Sequence, residues 1–318
     1  MTTVDEYRSW AAQKGDALPL FLRPWWLDAV CGNKGWKVAL VKNNGGDLIA
    51  ALPYFQFYKT GIRVTALPFL TPYMGIFISY PEKQKLTSRY DYEKQVLDEL
   101  IDQLPNTPYL QQKFYPALTY GLPFFWKGFR LDWRYTYQLS LQEDEKTIWD
   151  QLEGAVRTQL QKISGQVDMV ESNDATAMHD LVTMSFRRQQ KKMPYTREAF
   201  QRLYEAVKNQ GVGKIFLAVL PKNQVPVAGI FIVYDRDTVY NLVLGRNHQL
   251  DPGGSIHGLL WKAIRDHIGQ YRIFDFEGSM LEGPEHVFRS FGSIRVPVLQ
   301  ITRYRNRLWK AALALAGK

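Results

Sequence analysis

The sequence has one cysteine, five histidines and no long apolar run among its 318 residues. A single cysteine cannot form a disulfide within the chain. We expect Cys31 to be a small buried side chain rather than a nucleophile, because no adjacent group would lower its pKa. The histidines are scattered and there is no Cys/His cluster, so we expect no metal site. No apolar stretch reaches the roughly 20 residues that a membrane-spanning helix needs.

The N-terminal residues, Met1 to Glu6, are polar and acidic, unlike the basic start and apolar stretch of a signal peptide. We therefore expect a cytoplasmic protein without a transmembrane segment. The composition is 46% hydrophobic and 14% aromatic, which is typical of a globular chain and excludes disorder or collagen-like repetition. The length predicts two domains of about 150 residues each.

Positive charge is concentrated in the second half of the chain. The net charge is +9, of which residues 1–150 carry +1 and residues 151–318 carry +8. A basic half suits an anionic partner, such as a nucleotide-bearing cofactor, tRNA or a membrane surface. Charge does not choose among these three partners.

The two halves repeat one order of elements: strand, turn, strand, turn, strand, loop, helix, strand. Periodicity predicts this series at 36–42, 47–57, 62–66, 92–104 (helix) and 109–114, and again at 214–220, 225–234, 238–244, 257–268 (helix) and 273–276. A strand at 135–141 and helices at 145–163, 175–186 and 199–207 lie between the two series. The order favours two copies of one α/β unit, each an antiparallel meander followed by a crossover helix into a parallel strand.

A glycine-rich loop, Asp251-Pro252-Gly253-Gly254-Ser255, opens directly into the second predicted crossover helix. Glycines let the backbone approach a ligand closely, and the free N–H groups of a helix N-terminus favour negative charge. A pyrophosphate or a carboxylate could bind there. The alternative is an ordinary turn in which Ser255 caps the helix.

Two acidic residues follow where the next strand ends. Asp275 and Glu277 lie two positions apart, so on a strand they face the same side. Ligands of open α/β sheets bind beyond the carboxyl ends of parallel strands, where such a pair could orient an amine or accept its proton. In the alternative interpretation the pair has a cap-and-turn role, with Glu277 paired to Arg289.

These segments together resemble a known family. The apolar helix 259–264, Phe274-Asp275-Phe276-Glu277-Gly278-Ser279 and Phe288-Arg289-Ser290-Phe291-Gly292 are similar to the "fDfxGS … FKxxFG" ending of GNAT-like transferases related to the Fem-type peptidoglycan aminoacyl transferases (FemAB-like, BioF2-like). Further segments fit this family: Pro24–Leu27, Trp36, Leu70–Gly75, Arg134–Thr136, Trp149 and Arg157–Ile163.

The resemblance implies a mixed α/β (α+β) protein with two tandem GNAT-like domains, which have the fold of acyl-CoA N-acyltransferases. We place them at 1–144 and 145–302, followed by a basic amphipathic helix at 303–318. That helix could contact an anionic membrane peripherally, or dock on the second domain.

The family's activity implies transfer of an acyl group to an amine by direct attack, without a covalent enzyme intermediate. In these terms Asp275 or Glu277 orients or deprotonates the amine, and Ser279 and Tyr240 donate hydrogen bonds near the developing oxyanion. The remaining expected site residues are Gly253, Gly254, Ser255 and Arg289 for the cofactor, and Arg157, Arg187 and His257 for the substrate. Alternatives stay open for Tyr240 as a core residue, Arg157 as a domain-junction salt bridge and Arg187 as a solvated helix end.

The donor implied by the resemblance is acyl-CoA or aminoacyl-tRNA, and the acceptor is an amine of a cell-envelope component or a small metabolite. Asp251–Ser255 stands where the ordinary coenzyme A loop of GNAT proteins, Arg/Gln-x-x-Gly-x-Gly/Ala, would be. The alternatives to an acyl-CoA-dependent N-acyltransferase are a tRNA-dependent aminoacyl transferase that builds peptidoglycan cross-bridges and a non-catalytic binding protein on the same fold.

Overall fold

The protein is described here from a computed structural model that covers residues 2–32, 35–278, 280, 282–306 and 308–309. The chain forms two compact units, one made of residues 1–134 and 297–318 and the other of residues 135–296. The division differs from the expected domains at 1–144 and 145–302. The second unit already begins at Tyr135, because residues 138–140 pair with residues 273–275 inside that unit, and the last strand of the chain returns to the first unit. No described helix is long and apolar enough to cross a membrane.

The described part of unit 1 combines four α-helices and two short 3-10 helices (Gly15–Ala17 and Leu20–Leu22) with one sheet. The helices are α1 (Thr3–Lys14), α2 (Pro24–Cys31), α3 (Leu86–Asp102) and α4 (Leu122–Trp126). The strands are β1 (Trp36–Lys42), β2 (Leu48–Lys59), β3 (Ile62–Thr65), β4 (Phe77–Ile78), β5 (Tyr109–Lys113) and β12 (Ile294–Tyr304), which belongs to this unit from Pro297 onward.

The sheet of unit 1 has the strand order β1-β2-β3-β5-β12, with β4 on β2. β1, β2 and β3 form an antiparallel meander, and β5 then pairs with β3 in parallel. Parallel neighbours need a crossover connection, which α3 supplies. The helix buries Val96, Leu97, Leu100 and Ile101, three and four residues apart, against the sheet.

Unit 2 contains the remaining elements. Its helices are α5 (Glu145–Gln151), α6 (Gly154–Ile163), α7 (Ala175–Arg188), α8 (Arg197–Gln210), α9 (Ser255–Arg265) and α10 (Glu282–Arg289). Its strands are β7 (Asp168–Ser172), β8 (Gly213–Val219), β9 (Pro226–Tyr234), β10 (Thr238–Arg246) and β11 (Ile273–Asp275), together with β6 (Arg130–Ser140), which belongs to it from Tyr135 onward.

The sheet of unit 2 has the order β6-β11-β10-β9-β8-β7. β8, β9 and β10 form the meander, α9 is the crossover, and β11 pairs with β10 in parallel. The apolar face of α9 packs with residues of β9 and β11 in one core cluster, which includes Leu259, Leu260 and Phe274. The internal repeat that the sequence predicts is therefore confirmed at the level of topology.

Two predicted helices need correction. The helix expected over 145–163 is broken into α5 and α6, because Leu152 and Glu153 are extended and the N–H of Glu153 donates to the carbonyl of Ser290. The helix expected over 303–318 is not helical at its start, since Arg303 and Tyr304 continue β12. Residues 310–318 lie outside the described part of the chain.

Candidate functional site

Strands β10 and β11 separate within unit 2. They pair in parallel from Thr238 to Tyr240, opposite Ile273 to Asp275, and β10 then continues alone toward Arg246. A β-bulge at Leu242 shifts the pairing of β10 with β9 directly after this point. A bulge bends the strand that carries it, so the two parallel strands diverge beyond Tyr240 and Asp275.

A cavity of about 590 Å³ lies beside the freed end of β10. We call it the donor cavity. It is lined by α6, α7, the end of β10, the start of α9 and α10, through Gln159, Lys162, Ser185, Phe186, Gln189, Leu244, Arg246, His248, Pro252, Gly253, Gly254, Ile256, His257, Gly283, Pro284, Val287 and Phe288. Apolar walls with a few polar and charged groups are typical of a small-molecule site.

The loop before α9 forms one wall of the donor cavity. Gly253 and Gly254 have φ angles of 93° and 92°, a left-handed conformation that favours glycine. Gly254 caps α9, and no side-chain cap occupies the N–H groups of its first turn. Ser255 is fully buried, and its hydroxyl donates to Asp251 Oδ1 at 2.6 Å rather than serving as the cap. The loop therefore presents a helix N-terminus to the cavity.

Basic side chains surround the cavity. Lys162 and Arg246 line it, and the Arg246 guanidinium lies 3.4 Å from both Asp251 Oδ2 and His248 Nε2. Burial lowers the pKa of His257, and the charges of Arg246 and His286 lower it further. The pKa of His248 is lowered by burial and by Arg246 and Arg188. The two histidines are therefore neutral at pH 7, while Lys162 and Arg246 supply positive charge.

Asp275 is fully buried and held on three sides. One carboxylate oxygen accepts hydrogen bonds from the Thr136 hydroxyl and from the N–H of Glu277 at 2.8 Å, and the other accepts from Gln138 Nε2 at 2.9 Å. These partners come from β6 and from the turn after β11. The side chain thus ties the end of β11 to its neighbouring strand.

Glu277 lies in the turn that follows, with a φ of 54°. The next residue must be glycine, because a Cβ at Gly278 would overlap the carbonyl oxygen of Tyr135. The Glu277 side chain is partly buried, which leaves it more accessible than Asp275. Ser279, expected near the oxyanion, lies outside the described residues.

Tyr240 is paired directly with Asp275 across β10 and β11, so the two side chains share one face of the sheet. It is 5% exposed, and its hydroxyl donates to Asp235 Oδ2 at 3.1 Å. Within the described part of unit 2, neither Tyr240 nor the pair Asp275 and Glu277 belongs to the lining of the donor cavity.

The three arginines expected at the site, Arg157, Arg187 and Arg289, have different contacts, and none of them lines the donor cavity. Arg157 donates from Nη1 to the carbonyls of Trp149, Asp150 and Leu152, which caps the end of α5. Arg289 is half-exposed and lies 3.5–3.6 Å from Glu285 and Glu153. Arg187 is exposed in the last turn of α7, one residue from Phe186 of the cavity wall.

The structure thus brings Gly253, Gly254 and His257 together around the donor cavity, and places Ser255 directly behind it. Arg246 and His248 also belong to the cavity, although neither is among the site residues expected from the sequence. The signal for Arg246 is its place at the carboxyl end of a strand that neighbours a parallel partner. The described residues contain no group of His, Cys, Asp and Glu side chains that could hold a metal ion.

Comparison with known proteins agrees with this architecture. FemX has 12% sequence identity and a TM-score of 0.61, with 94% of this chain and 96% of FemX covered. L-PGS from Bacillus licheniformis has 10% identity and a TM-score of 0.58, covering 98% and 95%. A tandem GNAT protein from the clavulanic acid biosynthesis pathway has 10% identity and a TM-score of 0.57, covering 96% and 95%. At this level of identity the likeness concerns the fold, and it confirms the expected tandem GNAT architecture.

A comparison with curated protein sequences gives no significant match. Residues 155–286, which contain most of the donor-cavity lining and the end of β11, match the family described as acetyltransferase (GNAT) domain. The resemblance to GNAT-like transferases expected from the sequence is thereby confirmed, and the matched segment of the second unit is similar to the GNAT acetyltransferase domain.

Proposed function

We propose that this protein is an N-acyltransferase that binds an activated acyl donor in the donor cavity and transfers the acyl group to an amine. The observation that carries the proposal is the divergence of β10 and β11 beside a 590 Å³ cavity at the N-terminus of α9. Separated parallel strands leave room for an extended donor arm, and Lys162 adds positive charge to the wall of the cavity.

The reaction consists of attack by the neutral amine nitrogen on the donor carbonyl carbon. A new C–N bond forms, the bond from that carbon to the leaving sulfur or oxygen breaks, and the amine proton passes to a base or to the leaving group. We assign the role of base or amine-orienting group to Glu277. Asp275 acts as a positioning residue, because it is fully buried and its two oxygens hold β6 and the backbone of Glu277.

Acyl-CoA is the first donor to test, since a GNAT domain implies an acyl donor and an amine acceptor. Aminoacyl-tRNA is the second candidate donor. A specific observation favours it, because the loop before α9 already contains the carboxylate of Asp251 where a coenzyme A pyrophosphate would approach. Amines of cell-envelope components and of small metabolites are the acceptors to screen, in a cytoplasmic setting.

The proposal is tested by mass spectrometry of amide products after incubation with acetyl-CoA, longer acyl-CoA esters or aminoacyl-tRNA and a panel of primary amines. We expect Glu277→Gln to lower kcat by about 100-fold or more with little change in melting temperature, because it removes the base. Asp275→Asn should lower both activity and stability, since an amide can neither carry the charge nor accept from all three donors.

The matched control is Glu282→Gln, an exposed carboxylate in the first turn of α10 that should leave kcat unchanged. Full activity in Glu277→Gln would exclude it as the base. A wild-type chain that binds a donor but forms no product with any acceptor would instead support a non-catalytic binding protein.

A further inference from the structure

The loop before α9 contains its own anion. The side chain of Asp251 is only 2% exposed, and its Oδ1 accepts from the N–H of Gly253 at 3.1 Å and from the hydroxyl of Ser255 at 2.6 Å. Its Oδ2 lies 3.4 Å from the guanidinium of Arg246. Two donors and one cation therefore hold this carboxylate in the loop.

These partners are groups that an incoming phosphate would use. The backbone of Gly253 and the side chain of Arg246 both line the donor cavity. A phosphate oxygen that reaches the Gly253 N–H must displace the aspartate oxygen from it, and a buried carboxylate that loses its partners is costly. The same charge already satisfies the positive end of the helix dipole.

The charge balance at the cavity adds to this effect. The Asp251 carboxylate offsets the charge of Arg246, while His248 and His257 are neutral at pH 7 because burial lowers their pKa values. Lys162 and Arg246 are the lysine and arginine among the described residues that line the cavity. Arg246 is paired with Asp251 of the loop, whereas Lys162 is not. The positive field that a doubly charged pyrophosphate meets is therefore weaker than the field that Lys162 and Arg246 would create without Asp251.

We propose that Asp251 is a specificity-determining residue of the donor site, which disfavours donors anchored by a pyrophosphate at the loop before α9. The inference rests on the proposed function, since it concerns which activated acyl donor the cavity accepts. A donor is then held mainly by its acyl-bearing arm along the cavity wall. A donor without a pyrophosphate at that place, such as an aminoacyl ester, is selected over a coenzyme A thioester.

The test measures binding by calorimetry in the full chain with three probes: coenzyme A, inorganic pyrophosphate and pantetheine, which is the coenzyme A arm without phosphates. In Asp251→Asn we expect coenzyme A and pyrophosphate to bind at least about tenfold more tightly than in the wild type, because the like charge is removed and Arg246 is released. Pantetheine should bind equally to both, since it has no charge near the loop.

Asp235→Asn is the matched control, because Asp235 also accepts N–H groups of its own turn, from Asp237 and Thr238, in the same unit. It should leave all three affinities unchanged. Asp251→Ser, with a short hydroxyl that can still accept from Gly253, is measured as well and should show the same gain if the amide variant unfolds.

Equal or weaker binding of coenzyme A in folded Asp251→Asn or Asp251→Ser would overturn the inference, and so would a gain that pantetheine shares. This test measures binding and not amide formation, so its failure can be distinguished from failure of the proposed function. Absence of amide product with every donor contradicts acyl transfer, whereas an unchanged affinity for pyrophosphate contradicts only the role of Asp251.

Discussion

The carboxyl groups of Asp275 and Glu277 are separated by one residue in the chain and have different surroundings. Asp275 is fully buried and accepts hydrogen bonds from Thr136, Gln138 and the Glu277 backbone, whereas Glu277 lies partly exposed in a left-handed turn. The strand alternation that predicts a shared face ends with β11 at Asp275. Asp275 therefore ties the end of β11 to β6, and Glu277 is the residue to which we assign the role of base in the proposed function.

A second residue, His257, should make the stability of the protein depend on pH. Its pKa is lowered from 6.5 by burial and by Arg246 and His286, and its ring stacks on Phe291. Below pH 6.5 the unfolded chain takes up a proton that the folded chain resists, so the stability falls as the pH falls through this value. Denaturant unfolding at pH 7.5, 6.5 and 5.5 should show a weaker pH dependence in His257→Gln than in the wild type.

The difference in pH dependence between the wild type and His257→Gln has an upper limit, because one titrating group changes the free energy of unfolding by at most about 1.4 kcal/mol per pH unit. An identical slope in the wild type and His257→Gln would show that the imidazole titrates alike in the folded and unfolded chains.

At the level of elements, β10 and its counterpart β3 explain why the cavity belongs to unit 2. In unit 1, β3 ends at Thr65, the last residue that pairs with β5. In unit 2, β10 runs on from Tyr240 to Arg246 after its pairing with β11 stops. The extension carries Leu244 and Arg246 into the cavity wall and delivers the chain to the glycine-rich loop.

The extension of β10 depends on close packing against α7. A Cβ at Gly245 would overlap the backbone of Leu181 and Val182. Gly245→Ala should therefore push α7 away from β10 and destabilise the protein by about 3 kcal/mol, as overpacking of a rigid contact does. Because Ser185 and Phe186 of α7 line the cavity, the affinity for a bound donor should fall as well.

Denaturant unfolding and calorimetry check this prediction. The control is Gly154→Ala, at an exposed position of α6 where an added Cβ meets nothing within 4 Å. A Gly245→Ala variant as stable as Gly154→Ala would mean that α7 is free to shift.

For the molecule as a whole, β12 makes unit 1 discontinuous in sequence. Residues from Pro297 onward belong to unit 1, where Gln300 to Tyr304 pair antiparallel with β5 and Leu299 and Ile301 are buried in the core. A chain that ends at Val296 should therefore lose the fold of unit 1, since each missing core side chain costs about 2–5 kcal/mol. Hydrogen exchange should show loss of protection in β3 and β5 and retained protection in β8 and β9.

A chain that ends at Asn306 retains β12. It should keep the hydrogen-exchange protection of β3 and β5 as well as that of β8 and β9. If the chain ending at Val296 protects β5 as well as the full chain does, unit 1 folds without its last strand. Loss of protection in both units would mean that they unfold as one cooperative body.

The sequence by itself determined the repeated order of strands, crossover helix and parallel strand, because burial of one face imposes periodicities of two and of 3.6 residues. It also determined the glycine loop before α9, since left-handed φ angles favour glycine. It did not predict α1 and α2, whose main signals are the Thr2–Asp5 capping box and Pro24 at a first helical turn.

Only the tertiary structure decided which polar residues meet. Thr136 and Asp275 are 139 residues apart and form one hydrogen bond, while Arg157 donates to three carbonyl groups at the end of α5. Arg246 and Lys162 come to one cavity from different elements. Such contacts depend on how strands diverge and helices pack across the sheet, and local patterns do not encode those distances.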